Sequence, residues 1–386
     1  MVAAPLKVGL VAGEASGDTL GAGLIEAIRR RRPDAQFFGV AGPRMVAAGC
    51  VAWHPSDRLA VIGLFEILGA LPGLLSLRRD VRRRFLESRP DVFIGVDAPE
   101  FNLGLAAQLK SAGVTTVQYV SPQVWAWRQG RVATMAHAAD LVLCLLPFER
   151  QFYRDHAIRA EFVGHPLADQ IPLEVDRGAA RLRLGLAADA CVVAVLPGSR
   201  RSEVERLGDD FAGTVDWLRR RRPAMQFVAP MANPGVRGIF AAALARRAPD
   251  IPVRLLDGEA QLALAAADVA LVASGTATLE TTLTGRPMVV AYRLGWLTSF
   301  VLRRLGLMKA PFFAQPNLLA GRRIVPELFG PEVTPERLGS EVLGFLDDRQ
   351  RVAELEQVFS DIHGQLRRGA SERAAEAVLA LIGARP

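Results

Sequence analysis

Short apolar, β-rich runs alternate with helix-length patterns along most of this 386-residue chain. Strands of a parallel sheet are buried on both faces and read as continuous Val, Ile and Leu runs, and each parallel pair needs a crossover helix. The alternation therefore predicts parallel sheets covered on both faces. In the first half, strands are expected at Lys7–Ala12, Gln36–Val40, Val92–Val96, Thr115–Val120, Leu141–Leu145 and Glu161–Val163. Around Pro166–Gly185 the pattern lapses, and a second series follows at Cys191–Leu196, Gln226–Ala229, Val253–Leu256, Val269–Val272 and Pro287–Tyr292. A chain of this length suits two domains better than one core or three. The expected fold class is α/β, with two facing Rossmann-like doubly wound domains and ligands in the cleft at the carboxyl ends of their strands. The expected divisions are 1–170, 171–350 and a helical 351–386, in which Ser371–Ile382 returns to the first domain.

The chain carries 47 basic against 40 acidic residues, and only Lys7, Lys110 and Lys309 are lysines, so 44 of the cations are arginines. Guanidinium stays charged and pairs phosphate bidentately, which points to a nucleotide, a nucleic acid or an anionic membrane without choosing among them. Cys50, Cys144 and Cys191 stand far apart in apolar runs, as expected of buried thiols in a reducing compartment. His54, His137, His156, His165 and His363 form no cluster of ligand spacing, so no zinc is expected. Met1–Leu10 runs straight into a strand-like segment, which predicts no signal peptide and a cytoplasmic address.

The longest apolar stretch, Val61–Leu77, contains Glu66 and Pro72 and is too short to span a bilayer. Leu64, Leu68, Leu71, Leu74 and Leu75 lie on it at helical spacing, followed by Arg78, Arg79, Arg82, Arg83 and Arg84. Such a segment fits a membrane interface, its leucines in the acyl boundary and its arginines on lipid phosphates. A core-facing amphipathic helix is the commoner source of the same pattern. Gly295–Phe313 mixes aromatic, aliphatic and basic residues in the same manner.

Five motifs sit at strand ends. Gly13-Glu-Ala-Ser-Gly-Asp18 follows the first strand and opens a helix, where glycines admit close approach and helix amides attract anions; Gly13, Glu14 and Ser16 are candidates. The alternative is a tight turn with Ser16 or Asp18 as N-cap. Asp91–Asn102 is a buried-looking strand ending in Asp97, a candidate general base, with Glu100 and Asn102 behind it; equally, Asp97 caps the next helix. Tyr119–Arg131 concentrates Gln123, Trp125, Trp127, Arg128 and Arg131, suited to stacking on a sugar and holding phosphate or to packing a domain interface. Leu196-Pro-Gly-Ser-Arg-Arg-Ser-Glu-Val204 offers Gly198, Ser199 and Arg200 as a diphosphate cradle. Ala273–Glu280 offers Ser274, Gly275, Thr276 and Ala277 at a helix start, with Glu280 one turn in, where it would accept from ribose hydroxyls. Two such loops at neighbouring strand ends of one sheet point to a nucleotide.

Together these motifs resemble the lipid-A-disaccharide synthases, glycosyltransferases of the two-Rossmann-domain GT-B class. The resemblance is carried by GEASGD, VIGLFEIL at Val61–Leu68, PDVFIGVDAPEFN at Pro90–Asn102 and SPQVWAW at Ser121–Trp127. FVGHPL at Phe162–Leu167, LPGSR at Leu196–Arg200, SGTATLE at Ser274–Glu280 and PNLLAGRRIVPEL at Pro316–Leu328 extend it over nearly the whole chain. It implies an inverting transfer of 2,3-diacylglucosamine from its UDP-linked form to the 6-hydroxyl of 2,3-diacylglucosamine 1-phosphate, giving a β-1,6 disaccharide and UDP. Such a transfer needs a base for the hydroxyl, assigned to Asp97, and positive charge for the leaving diphosphate, assigned to Arg200 with the helix amides after Gly198 and Gly275. The match assigns Glu280 and Asn317 to UDP and places Glu14 and Gln315 in the same cleft. No D-x-D occurs in the sequence, so neither a metal nor another cofactor is expected. The acylated substrates favour the interfacial reading of Val61–Leu77, hence peripheral attachment to the inner membrane from the cytoplasm; a homodimer is compatible, and no nucleic-acid partner is expected. Two rivals are a UDP-sugar transferase or epimerase with non-acylated substrates, and a non-catalytic anion-binding protein that leaves the Asp97 strand end unexplained.

Overall fold

A computed structural model describes residues 5–59, 64–122, 132–293 and 312–384, apart from the side chains of 64–71. Gln123, Trp125, Trp127, Arg128 and Arg131, and nearly all of Gly295–Phe313, lie outside the described residues, as do the side chains of Leu64, Leu68 and Leu71. Thirteen strands are present among the described residues: β1 (Lys7–Ala12), β2 (Gln36–Ala41), β3 (Cys50–Pro55), β4 (Val92–Val96), β5 (Thr115–Tyr119), β6 (Leu141–Cys144), β7 (Ala160–Phe162), β8 (Val192–Leu196), β9 (Gln226–Met231), β10 (Val253–Asp257), β11 (Val269–Ala273), β12 (Met288–Tyr292) and β13 (Glu327–Phe329). They form two parallel sheets, ordered β3-β2-β1-β4-β5-β6-β7 and β10-β9-β8-β11-β12-β13. The α/β doubly wound class expected from the sequence is thus observed twice. β3 and β13 were not expected. The first is an edge strand carrying Trp53, His54 and Pro55 with only Cys50 fully buried, and the second is three residues long, so neither shows the continuous apolar run of a central strand.

Side chains of the first sheet alternate between two cores. Val8, Leu10 and Ile94 pack with Leu24, Ile25 and Ile28 of the Ala15–Arg31 helix and with Ala374, Ala375 and Val378 of the Ala370–Gly383 helix. Val11 and Phe93 face the other way, onto Leu77, Val81 and Phe85 of the Leu64–Ser88 helix and Phe101 and Leu105 of the Pro99–Ser111 helix. Of the described side chains in the leucine-rich segment only Leu77, at its end, is buried in this core, while Leu74 is half-buried and Leu75 is 41% exposed.

Residues up to Asp169 and those from Leu366 onward form one compact unit, and Gln170–Gln365 forms the other. The return point lies at Leu366, not 351, because the Arg349–Leu366 helix stays with the second unit almost to its end. Within the first unit, the outgoing and incoming segments are stapled together. The His165 N–H donates to the Leu366 carbonyl at 2.9 Å, and the Asp169 carboxylate accepts the amides of Gly369 (2.8 Å) and Ala370 (2.6 Å), capping the last helix. His165 Nδ1 accepts the Leu167 N–H at 3.2 Å, and desolvation, only partly offset by Asp169, pushes the imidazole down to about 4. An unfolded His takes a proton near pH 6.5 while the folded one refuses it until about 4, so the chain loses stability as pH falls through that window. The expected loss is roughly 3 kcal/mol. His165→Asn keeps an acceptor for Leu167 and should flatten the pH dependence of thermal unfolding between 6.5 and 4; an unchanged slope would remove His165 as its source. Asp34, held at about 2 chiefly by Arg32, titrates below this range.

Candidate active site

In each sheet the strand order reverses once, between β1 and β4 in the first and between β8 and β11 in the second. Loops leaving the carboxyl ends of strands at such a reversal diverge and leave room for a ligand. The four strongest motifs occupy these four loops.

In the first unit, β4 ends in Asp97 and Ala98 with φ of 54° and 41°, a left-handed pair that is strained for an alanine. Pro99 then opens the next helix. The surroundings hold the turn in place. The Asp97 N–H donates to the Tyr119 carbonyl at 2.9 Å, and the Asp97 carbonyl accepts from Asn102 Nδ2 (2.8 Å) and Gln118 Nε2 (3.2 Å). Both amides are buried, and Asn102 Nδ2 also reaches the Val11 carbonyl at 3.2 Å, tying the end of β4 to that of β1. The half-buried Asp97 side chain therefore leaves a fixed backbone. Gly13 packs against this turn; a Cβ on it would stand 2.5 Å from Ala98 Cβ, so only glycine lets the two loops meet. Glu14 and Ser16 are exposed where the Ala15–Arg31 helix begins. Asp18 is buried and accepts the amides of Arg44 and Met45, both at 2.9 Å, so it caps the short Pro43–Ala47 helix, not its own.

In the second unit, Leu196 pairs with Val272, which sets the loops after β8 and β11 side by side. Gly198, at φ 133°, turns the first loop back into the Arg201–Arg221 helix. The sequence leads one to expect the following amides open to a phosphate; the structure gives them to Glu203, whose Oε2 accepts from Ser199 at 3.1 Å and Arg200 at 3.2 Å. What faces outward is the Arg200 guanidinium, 56% exposed, with Glu203 Oε1 at 3.8 Å. In the second loop Gly275 precedes the Thr276–Leu283 helix, and Gly275 and Thr276 are exposed, with Ser274 and Ala277 half-buried. Glu280 is half-buried, and burial pushes its carboxyl up from its ordinary value.

Gln315 joins this group: its N–H donates to Thr278 Oγ1 at 3.3 Å, and its Oε1 is buried without a partner among the described residues. Asn317 is different. It is 0% exposed, its Nδ2 donates to the Val325 carbonyl (3.0 Å) and Glu327 Oε1 (2.7 Å), and its Oδ1 accepts from Ile324 (2.7 Å) and Val325 (2.9 Å). Glu327 in turn accepts the amides of Phe313 and Ala314 at 3.0 and 2.9 Å. With its amide fully used, Asn317 orders the segment that carries Gln315. Beside it, Tyr292, Phe313 and Phe329 form an aromatic group with centroids 5.4–5.8 Å apart. Neither this group nor Gln118 was singled out by sequence, since they lie in ordinary strand and loop contexts.

The Lipid-A-disaccharide synthetase family model matches residues 8–382. The chain belongs to the lipid-A-disaccharide synthase family. It is 52% identical over 377 residues to the lipid-A-disaccharide synthase of Pseudomonas aeruginosa (strain UCBPP-PA14), covering 98% of each chain, and 49% identical over 382 residues to that of Pectobacterium atrosepticum, covering 99% of each. Members of the lipid-A-disaccharide synthase family are glycosyltransferases, and so is this chain. Solved structures agree on the fold alone. The UDP-GlcNAc 2-epimerase of Neisseria meningitidis matches with a TM-score of 0.65 at 12% identity, covering 97% of this chain and 100% of that one. CalG4, the calicheamicin glycosyltransferase, matches with a TM-score of 0.62 at 15% identity, covering 98% of each chain. Both sheets and the GT-B neighbours fit the family. Among the described residues, no group of three His, Cys, Asp or Glu is placed to hold a metal ion, and no helix is long and apolar enough to cross a membrane.

Proposed function

We propose that this chain transfers 2,3-diacylglucosamine from its UDP-linked form to the 6-hydroxyl of 2,3-diacylglucosamine 1-phosphate, with inversion and without a metal. The observation that carries the reading is the Asp97 turn: a carboxylate on a strained backbone, held by two buried amides, at the strand-order reversal of the first sheet. Asp97 takes the proton from the acceptor 6-hydroxyl as its oxygen attacks the anomeric carbon, the bond to the β-phosphate oxygen breaks, and UDP departs. Charge developing on that oxygen is met by the exposed Arg200 guanidinium and the helix start at Ser274–Ala277. Glu280, desolvated and half-buried, is suited to accept from ribose hydroxyls, and the Tyr292–Phe313–Phe329 group offers the uracil an aromatic neighbour. Gly13, Glu14 and Ser16 line the acceptor side. Peripheral contact with the inner membrane is proposed through Leu64, Leu68, Leu71, Leu74 and Leu75, of which Leu75 is shown to be exposed.

The test is product formation, followed by mass spectrometry, from purified protein with both acylated substrates in detergent. Disaccharide 1-phosphate and UDP are expected in equal amounts, undiminished by EDTA. A well-folded protein that makes no disaccharide would overturn the reaction, and loss with EDTA restored by magnesium would overturn the metal-free reading.

A further inference from the structure

Arg78 projects from the Leu64–Ser88 helix onto the first turns of the Pro99–Ser111 helix. Its Nη2 donates to the Glu100 carbonyl at 2.8 Å, and its Cζ lies 5.1 Å from the Phe101 ring centroid. Nη1 lies 3.0 Å from where a Cβ on Gly104 would stand, so the missing side chain there makes room for the guanidinium. Residues 100, 101 and 104 thus shape a seat that fixes the cation in one place.

What the seat lacks is a counter-charge. Arg83 and Arg84 on the same helix share the Asp80 carboxylate, whereas among the described residues no carboxylate pairs with Arg78. Arg78 is half-buried, its Nε is buried without a partner, and burial alone pulls its pKa down. A guanidinium withdrawn from water without an opposite charge is costly, and an incoming anion that supplies the charge removes the cost. Glu100 lies three residues past Asp97 along the chain, so their backbones are at most roughly 11 Å apart. A small phosphorylated sugar with its hydroxyl at Asp97 has its phosphate within reach of this seat. The segment just before Arg78 carries Leu74 and Leu75, half-buried and exposed, so an acylated molecule would meet apolar surface on the same helix.

We propose that Arg78 forms the subsite for the phosphomonoester of the acceptor sugar, fixing the end of that molecule away from the hydroxyl that reacts. The assignment rests on the acceptor named in the preceding section. Planar guanidinium matches phosphate oxygens in a fork that ammonium does not reproduce, so Arg78→Lys retains charge but loses geometry.

The experiment is a cycle of two enzymes and two acceptors in detergent: wild type and Arg78→Gln, each with 2,3-diacylglucosamine 1-phosphate and with 2,3-diacylglucosamine lacking the phosphate. Wild type should prefer the phosphorylated acceptor by roughly tenfold to a hundredfold in kcat/KM. Arg78→Gln should lose most of that preference through acceptor KM, leaving the dephosphorylated acceptor and the UDP-sugar KM nearly unchanged, with Arg78→Lys in between. An equal loss on both acceptors would make Arg78 a purely structural tether of the two helices and overturn the proposal. An unchanged acceptor KM together with reduced binding to phosphatidylglycerol-containing vesicles, relative to phosphatidylcholine alone, would assign Arg78 to the lipid surface and also overturn it. Should Arg78→Gln fail to fold, the Lys variant read in the same cycle decides: full preference retained overturns the subsite, partial preference supports it. If wild type makes no disaccharide from the phosphorylated acceptor, the reaction itself fails, a result separate from any of these.

Discussion

Asp97→Asn should lower turnover by roughly two to four orders of magnitude while leaving UDP binding intact. The substitution keeps shape and removes only the capacity to take the acceptor proton. Asparagine also tolerates the left-handed backbone at φ 54° as well as any residue but glycine, so the turn between β4 and the Pro99–Ser111 helix is retained. Single-turnover product formation and calorimetric UDP titration read the two properties separately. Turnover within about fivefold of wild type would move the base to Glu14 or Glu100. Glutamine or alanine at 97 are poorer tests, because either disturbs a turn whose strain is supported by Asn102 and Gln118.

The second large effect is expected at Asn317. Replacing it with alanine strands the Ile324 and Val325 amides and the Val325 carbonyl, all interior or nearly so, and takes one of three donors from Glu327. Each buried group left without its partner costs about 1–3 kcal/mol, so the loss should reach roughly 3–5 kcal/mol and show as a lowered urea midpoint. UDP affinity should fall with it, since the same network holds the chain at Phe313 and Ala314 and so positions Gln315. The alternative outcome is informative: a variant that melts like wild type yet no longer binds UDP would place Asn317 on the ligand.

Much of this was legible beforehand where a motif coincided with a strand end. Gly13–Asp18, Asp97, Gly198–Arg200 and Ser274–Glu280 each follow a predicted strand, and pairing at the two order reversals brings them together in twos. Periodicity found the buried strands because burial on both faces writes an unbroken apolar run, and it missed β3 because an edge strand with His54 and Pro55 writes none. Motif reading also could not tell which polar groups spend their hydrogen bonds internally. The family resemblance assigns Asn317 to UDP, and Asp18 and Glu203 stand inside two of the loop motifs, yet all three are committed to backbone amides of their own unit. Gln118 had the opposite difficulty: a glutamine in a strand carries no signal until the carbonyl it serves, that of Asp97, is located in space.

The insertion of the whole second unit between Asp169 and Leu366 sets an order of events during synthesis. All seven strands of the first sheet leave the ribosome before the second unit begins, yet the Ala370–Gly383 helix that covers Leu24, Ile25 and Ile28 leaves last. At roughly 5–20 residues per second, the sheet waits on the order of ten to forty seconds for that cover. During that interval Asp169 has no helix to cap, and His165 has no Leu366 carbonyl to hold. The unit whose gene segment comes first is therefore the one completed second, and the nascent chain is most in need of a chaperone for as long as its other half is still being made.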